Sequence, residues 1–253
     1  MPLIEPDEGE AFVVHNLGAA APFVFIVDHA GRAVPRSLNR LGLPDEAFER
    51  HIAWDIGALA LARELAGRFD AALLAQRWSR LVIDCNRDPG RADAIPEVSD
   101  GQPVPGNVGL SPEARAARVA EVHAPYQDGL GAELAARDAR GLRTVLVLVH
   151  SFTPRMAGFD RPWRYGVLHG PPSPASAAAL AALRRRPQWS VGDNEPYRMD
   201  EVDHTAPRHG LSAGRDYLEL EVRQDLIADD AGVAVVAGEL EPVLREVAAE
   251  LGL

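Results

Sequence analysis

Lysine is missing from this chain of 253 residues: all 26 basic side chains are arginine. That absence excludes a Schiff base to pyridoxal phosphate and a Walker-type phosphate loop, since both need a lysine amine. Cysteine is nearly missing too. Cys85 stands alone, which excludes an internal disulfide, a cysteine-based zinc knuckle and an iron–sulfur cluster held by this chain alone. Any metal must be held by His, Asp and Glu. No apolar run of about 18 residues occurs, so nothing reads as a membrane span. Positive charge is in deficit, with a net charge of -11. This argues against a general nucleic-acid surface, and an anionic substrate would have to meet a local arginine cluster. The acidic N-terminal stretch MPLIEPDEGEAF has no apolar segment of the kind a signal peptide needs. The expected location is the cytoplasm.

What is present is a core-forming composition, 47% hydrophobic, arranged in alternating strand and helix patterns. PFVFIV (22–27) reads as a buried strand ending at Asp28-His29. Residues 43–69 read as one helix with Asp45 as N-cap. AALLAQ (71–76) and RLVIDCN (80–86) read as short strands and suggest a hairpin. The Pro-, Gly- and Asp-rich stretch 88–109 reads as a long loop of the kind that often carries function. Residues 111–123 form a helix capped by Ser111 with Pro112 at its first position. Pro125 should kink or end it, and 127–140 is helical again. TVLVLVH (144–150), 164–170 and 215–226 read as strands; 173–186 and the C-terminal segment read as helices. With no repeat and no Ser/Gly-rich linker, residues 1–253 are expected to form a single α/β domain with a mixed sheet.

In open α/β sheets ligands collect beyond the carboxyl ends of the strands. Three expected strands end in reactive side chains: Asp28-His29, Asp84-Cys85-Asn86-Arg87 and His150-Ser151. A lone histidine at a strand end is usually a hydrogen-bonded core residue; two at two strand ends point toward a metal. Catalytic zinc takes three protein ligands and leaves a position open. Asp55, a poor helix former in an apolar helical pattern, is a candidate oxygen ligand, while His51 four residues earlier makes a surface His–Asp pair equally plausible. Glu219 and Glu221 share one side of a strand, which suits either an edge position in water or a general base facing the site, with Arg223 on that side to balance the charge. GLSAG (210–214) matches the nucleophile elbow of serine hydrolases, but a strand follows it and all eight histidines precede Ser212. A flexible turn accounts for it better.

Taken together, VDHAGRAVP, HIAWDIGALA, SRLVIDCNR, VHSFTP, RPWRYGVL, NEPY and LEVRQDL resemble the N-formylglutamate amidohydrolase family, in the family's order and across most of residues 23–227. The resemblance implies a zinc-exopeptidase (phosphorylase/hydrolase-like) architecture, with a mostly parallel mixed sheet flanked by helices. It implies one zinc, or another divalent metal, held by His29, Asp55 and His150, with Glu221 as general base. Carboxypeptidase-like sites usually place a Glu three residues after the first His, a position filled here by Arg32. Asn86 and Arg87 resemble the pair that grips a substrate carboxylate, Arg80 would polarise the carbonyl or meet a second carboxylate, and Arg161 is a further substrate-binding candidate. The implied activity is hydrolysis of N-formyl-L-glutamate to formate and L-glutamate in histidine degradation. Its neighbours are a metal-dependent deacylase or carboxypeptidase-like enzyme on another small anionic N-acyl amino acid or a small peptide, a serine hydrolase using Ser212, and a non-catalytic carboxylate-binding protein. Tyr197 and His209 fall in matching stretches without an assigned role, and the oligomeric state is open.

Overall fold

Parallel strands buried on both faces read as near-continuous apolar runs, and FVFIV and VLVLVHSF behave accordingly. In the computed structural model, which describes residues 2–171, 173–199 and 203–253, seven strands form one mixed sheet. They are β1 (Phe12–His15), β2 (Phe23–Val27), β3 (Ala72–Gln76), β4 (Val145–Phe152), β5 (Tyr165–Leu168), β6 (Val191–Asp193) and β7 (Asp216–Arg223). Their spatial order is β1-β3-β2-β4-β7-β5-β6. β3, β2, β4 and β7 are mutually parallel. β1 runs antiparallel to β3, β5 antiparallel to β7, and β6 parallel to β5. The chain steps from β2 outward to β3 and then returns to place β4 on β2's other side. That reversal opens a crevice at the carboxyl ends of β2 and β4.

Helices cover both faces: α1 (Ala58–Phe69), α2 (Pro112–Arg118), α3 (Ala124–Ala139), α4 (Pro174–Arg184) and α5 (Asp230–Glu250). α1, α4 and α5 pack against one face, where Phe25, Val147 and Leu220 meet Leu61, Leu183 and Leu240. On the other face Ile26, Leu146 and Leu148 meet Tyr126, Leu130 and Leu134 of α3 and the non-helical segment containing Leu81, Val82 and Ile83. Because side chains alternate along a strand, β7 sends Leu218, Leu220 and Val222 to the first face and Tyr217, Glu219 and Glu221 to the second.

Two expectations fail and a third holds only in part, each for a physical reason. Residues 43–69 are not one helix. A 3-10 turn covers Asp45–Glu49 without a cap from Asp45, and the α-helix begins only at Ala58. Gly57 precedes it at φ 80°, and a Cβ there would lie 2.1 Å from the Ile227 carbonyl oxygen, so the chain turns before it can coil. Residues 80–86 form no strand. Their carbonyls are met by side chains: Asn107 donates to Leu81, Arg118 to Val82 and Gln127 to Cys85. Pro125 interrupts its helix without ending it. The ladder widens into a π-turn over Val119–His123 and continues as α3. The edge strands β1 and β6 were not expected.

Candidate active site

The crevice holds a cavity of about 700 Å³ whose wall includes His29, Asp55, Arg80, Asp84, His150, Tyr197, Glu219 and Glu221. His29 lies two residues past the end of β2. Asp55 lies outside any helix, on the turn before α1, and its backbone N–H donates to the His29 carbonyl at 2.8 Å. That bond ties the turn to the end of β2. His150 sits near the end of β4, in register with Glu221 on β7.

His29, Asp55 and His150 each offer one donor atom, and those atoms lie within 4.8 Å of one another. Asp55 Oδ2 is 2.9 Å from His150 Nδ1 and 3.4 Å from His29 Nδ1. The far nitrogen of His29, Nε2, meets Asp84 Oδ1 at 2.7 Å. Asp84 is itself held by Arg80 Nε and NH2 at 3.1 and 2.7 Å and by the Asn86 N–H at 2.9 Å. A carboxylate behind a histidine fixes the ring's tautomer and turns its other nitrogen toward the centre. Asp84 is the residue that sequence reasoning left without a role. Its only signal was its place at the end of a buried apolar run.

The electrostatics follow from burial and these pairings. Burial alone would raise the Asp55 carboxyl, but the His29 charge and the hydrogen bonds from His150 and His29 outweigh it and hold Asp55 well below its ordinary range. Asp84 is held low in the same way, with Arg80 as its chief partner against the burial cost. Burial would lower His150, yet its bond to Asp55 raises it to about 10. Burial pushes Glu221 up to about 8, partly opposed by His150. Its Oε2 finds no hydrogen-bond partner among the described residues. Gly166 on β5 makes room here: a Cβ on it would lie 3.3 Å from Glu221 Cβ and 2.0 Å from the Glu195 carbonyl oxygen.

The remaining candidates separate. Glu219 and Glu221 are both buried, so the edge-in-water alternative fails, and Arg223 balances neither because it pairs with Asp225. His51 lies 3.7 Å from Asp55 Oδ1, half-buried at the cavity wall, and burial drives it down to about 4. Arg80 reaches from Asp84 toward Asp55, 3.6 Å from its Oδ1. Asn86 and Arg87 line the cavity. Arg161 does not line it, but it donates to Thr153 Oγ1 at 3.2 Å and to the Tyr197 hydroxyl at 3.0 Å, both residues of the wall. His209 is a buried partner of Gln127 Oε1 at 2.7 Å, away from the wall. Ser212 is exposed, and its hydroxyl donates to the carbonyls of Pro207 and Arg208 rather than to a histidine. The serine-hydrolase alternative therefore lacks its base.

Comparison with known proteins places the chain in a family. The gene product Atu2144 of Agrobacterium tumefaciens has the same structure at a TM-score of 0.95 and 36% identity, covering 99% of this chain and 100% of that one. An N-formylglutamate amidohydrolase from Ralstonia eutropha JMP134 shares the fold at a TM-score of 0.61 and 19% identity, covering 96% of this chain and 99% of that one. A search of curated proteins finds no significant match. The family model for N-formylglutamate amidohydrolase matches residues 21–228, and the chain belongs to that family.

Proposed function

We propose that this amidohydrolase is metal-dependent and cleaves N-formyl-L-glutamate to formate and L-glutamate. The observation that carries the reading is the convergence of His29, Asp55 and His150 beside a buried Glu221 whose Oε2 has no hydrogen-bond partner among the described residues. The donor set fits a divalent cation: two imidazoles and a carboxylate with a position left over suit zinc, and Asp84 already turns His29 Nδ1 toward the centre. His29, Asp55 and His150 would hold the ion, one per chain. When bound, it supplies Lewis acidity, which acidifies water and polarises a carbonyl oxygen.

The chain's own residues do the rest. Glu221, raised by burial, takes a proton from water as the oxygen adds to the formyl carbon. Arg80, fixed by Asp84, supplies positive charge beside the developing oxyanion. Glu221 then returns the proton to the amide nitrogen as the C–N bond breaks. A dicarboxylate suits the arginines here. Among the described residues the largely buried Arg161 makes no ion pair with a carboxylate; its guanidinium contacts Met156 Sδ at 2.8 Å, the Tyr197 hydroxyl at 3.0 Å and Thr153 Oγ1 at 3.2 Å. A buried guanidinium without an anion is costly, and a substrate carboxylate reached alongside Tyr197 would offset that cost. Arg87 with Asn86 would take the other carboxylate.

The test is formate release by the wild type and Glu221→Gln, with N-acetyl- and N-succinyl-L-glutamate as competitors for the assignment. The substitution should lower kcat by about 10²–10⁴-fold while bound metal stays unchanged. A fully active Gln variant would remove Glu221 from the mechanism, and faster turnover of another acyl group would reassign the substrate.

A further inference from the structure

The Asn86–Arg87 pair is not bare. Asn86 Nδ2 donates to Asp203 Oδ1 at 3.2 Å, and Arg87 NH1 lies 3.5 Å from the same oxygen. The carboxamide cannot be turned the other way, because Asn86 Oδ1 accepts the backbone N–H groups of His204 and Thr205 at 3.0 and 2.9 Å. The Nδ2 donor is therefore aimed by the same segment that carries Asp203. Arg87 NH1 also donates to the Asn86 carbonyl at 3.0 Å, which keeps the guanidinium beside the carboxamide. Asn86, Arg87 and Asp203 all line the cavity, and the Asp203 side chain is only 10% exposed.

Two donors that converge on one carboxylate oxygen make a carboxylate site, and a carboxylate of the chain itself lies in it. Its two contacts with this pair are long. Charge-assisted N–H···O bonds usually measure about 2.7–2.9 Å, so Asp203 is held without the full strength the pair can deliver. We propose that Asp203 is an internal competitor for the substrate carboxylate at Asn86 and Arg87, and that it sets the affinity of that subsite. The inference rests on reading this pair as the substrate's carboxylate subsite. A ligand carboxylate must displace Asp203 or share Arg87 with it, so apparent affinity is reduced by the fraction of time the grip is free. Selectivity follows: a ligand without a well-placed carboxylate gains nothing from the displacement.

The test titrates L-glutamate into the metal-replete full chain by calorimetry and measures KM and kcat with N-formyl-L-glutamate. The proteins are wild type, Asp203→Asn, Asp203→Ala and Asp203→Asn combined with Arg87→Ala, each checked by thermal melting. Asp203→Asn keeps shape and an acceptor oxygen; Asp203→Ala removes both. If Asp203 fills the grip nine-tenths of the time, both single variants should bind L-glutamate about tenfold more tightly. The change should fall on KM rather than kcat and should vanish with Arg87→Ala. Unchanged or weaker binding in the folded single variants, or a gain that survives loss of Arg87, would overturn the inference. Turnover with unchanged affinity overturns this inference alone. Tighter L-glutamate binding without formate release overturns the proposed reaction and leaves the competition standing.

Discussion

The two faces of the sheet are written by the same strands and do opposite things. On the face under α1, α4 and α5, alternate residues of β4 and β7 are apolar almost to the strand ends: Val145, Val147 and Val149, with Ser151 as the polar exception at the end of β4, and Leu218, Leu220 and Val222. On the other face the same strands begin apolar, with Leu146 and Leu148, and finish with His150, Glu219 and Glu221. Near the carboxyl ends the second face gives up hydrophobic burial and collects buried charge from Asp28, Asp55 and Asp84 as well. Unpaired buried charge is costly. The first face therefore secures the fold, which allows the second to hold a cluster that opposes it.

This contrast can be broken from either side. The largest effect on stability is expected on the apolar face. Leu220→Ala should cost about 2–5 kcal/mol by losing burial and leaving a cavity, measured by denaturant unfolding, while kcat per folded molecule is retained because Leu220 points away from the crevice. A loss of kcat without a loss of stability would show that the faces are not separable. Next comes the support behind the centre. Asp84→Asn leaves His29 Nε2 without its carboxylate and should weaken metal binding by about 10–100-fold, read by competition with a chelator. Unchanged affinity would assign Asp84 to Arg80 alone.

The smallest effect is a pH dependence beneath the second face. His209 Nε2 donates to Gln127 Oε1, and burial drives the ring down to about 4. Its folded value lies below the unfolded 6.5, so the stability it contributes is present above pH 6.5 and is lost as pH falls toward 4. Roughly 2 kcal/mol should disappear between pH 7 and 5 from this group. His209→Gln, which keeps a donor to Gln127, should flatten that part of the stability–pH curve. An unaltered curve would exclude His209 as its source.

How much of this was legible follows from where the determining contacts lie. His29, His150 and the pair Glu219 and Glu221 were visible because strand period and strand ends are local properties of sequence, while the choice of Glu221 over Glu219 came from the family resemblance. Asp55 was visible for a mistaken reason. It looked out of place in a helix, whereas the helix starts three residues later, and a bond to the His29 backbone holds it. The false strand at 80–86 shows the converse: its apolar run is buried as expected, but donors from Asn107, Arg118 and Gln127, 26–42 residues away, replace the ladder. The grip on Asp203 spans 117 residues from Asn86, and no local pattern announces it.

The polar end of the second face, as a metal centre that hydrolyses a formyl amide, is the central claim to test. The most direct measurement is metal content of the purified chain together with formate release from N-formyl-L-glutamate, before chelation, after it and after zinc is restored. One zinc per chain, with release lost on chelation and recovered on re-addition, is the expected result. No bound metal and no response to zinc would contradict the assignment of His29, Asp55 and His150.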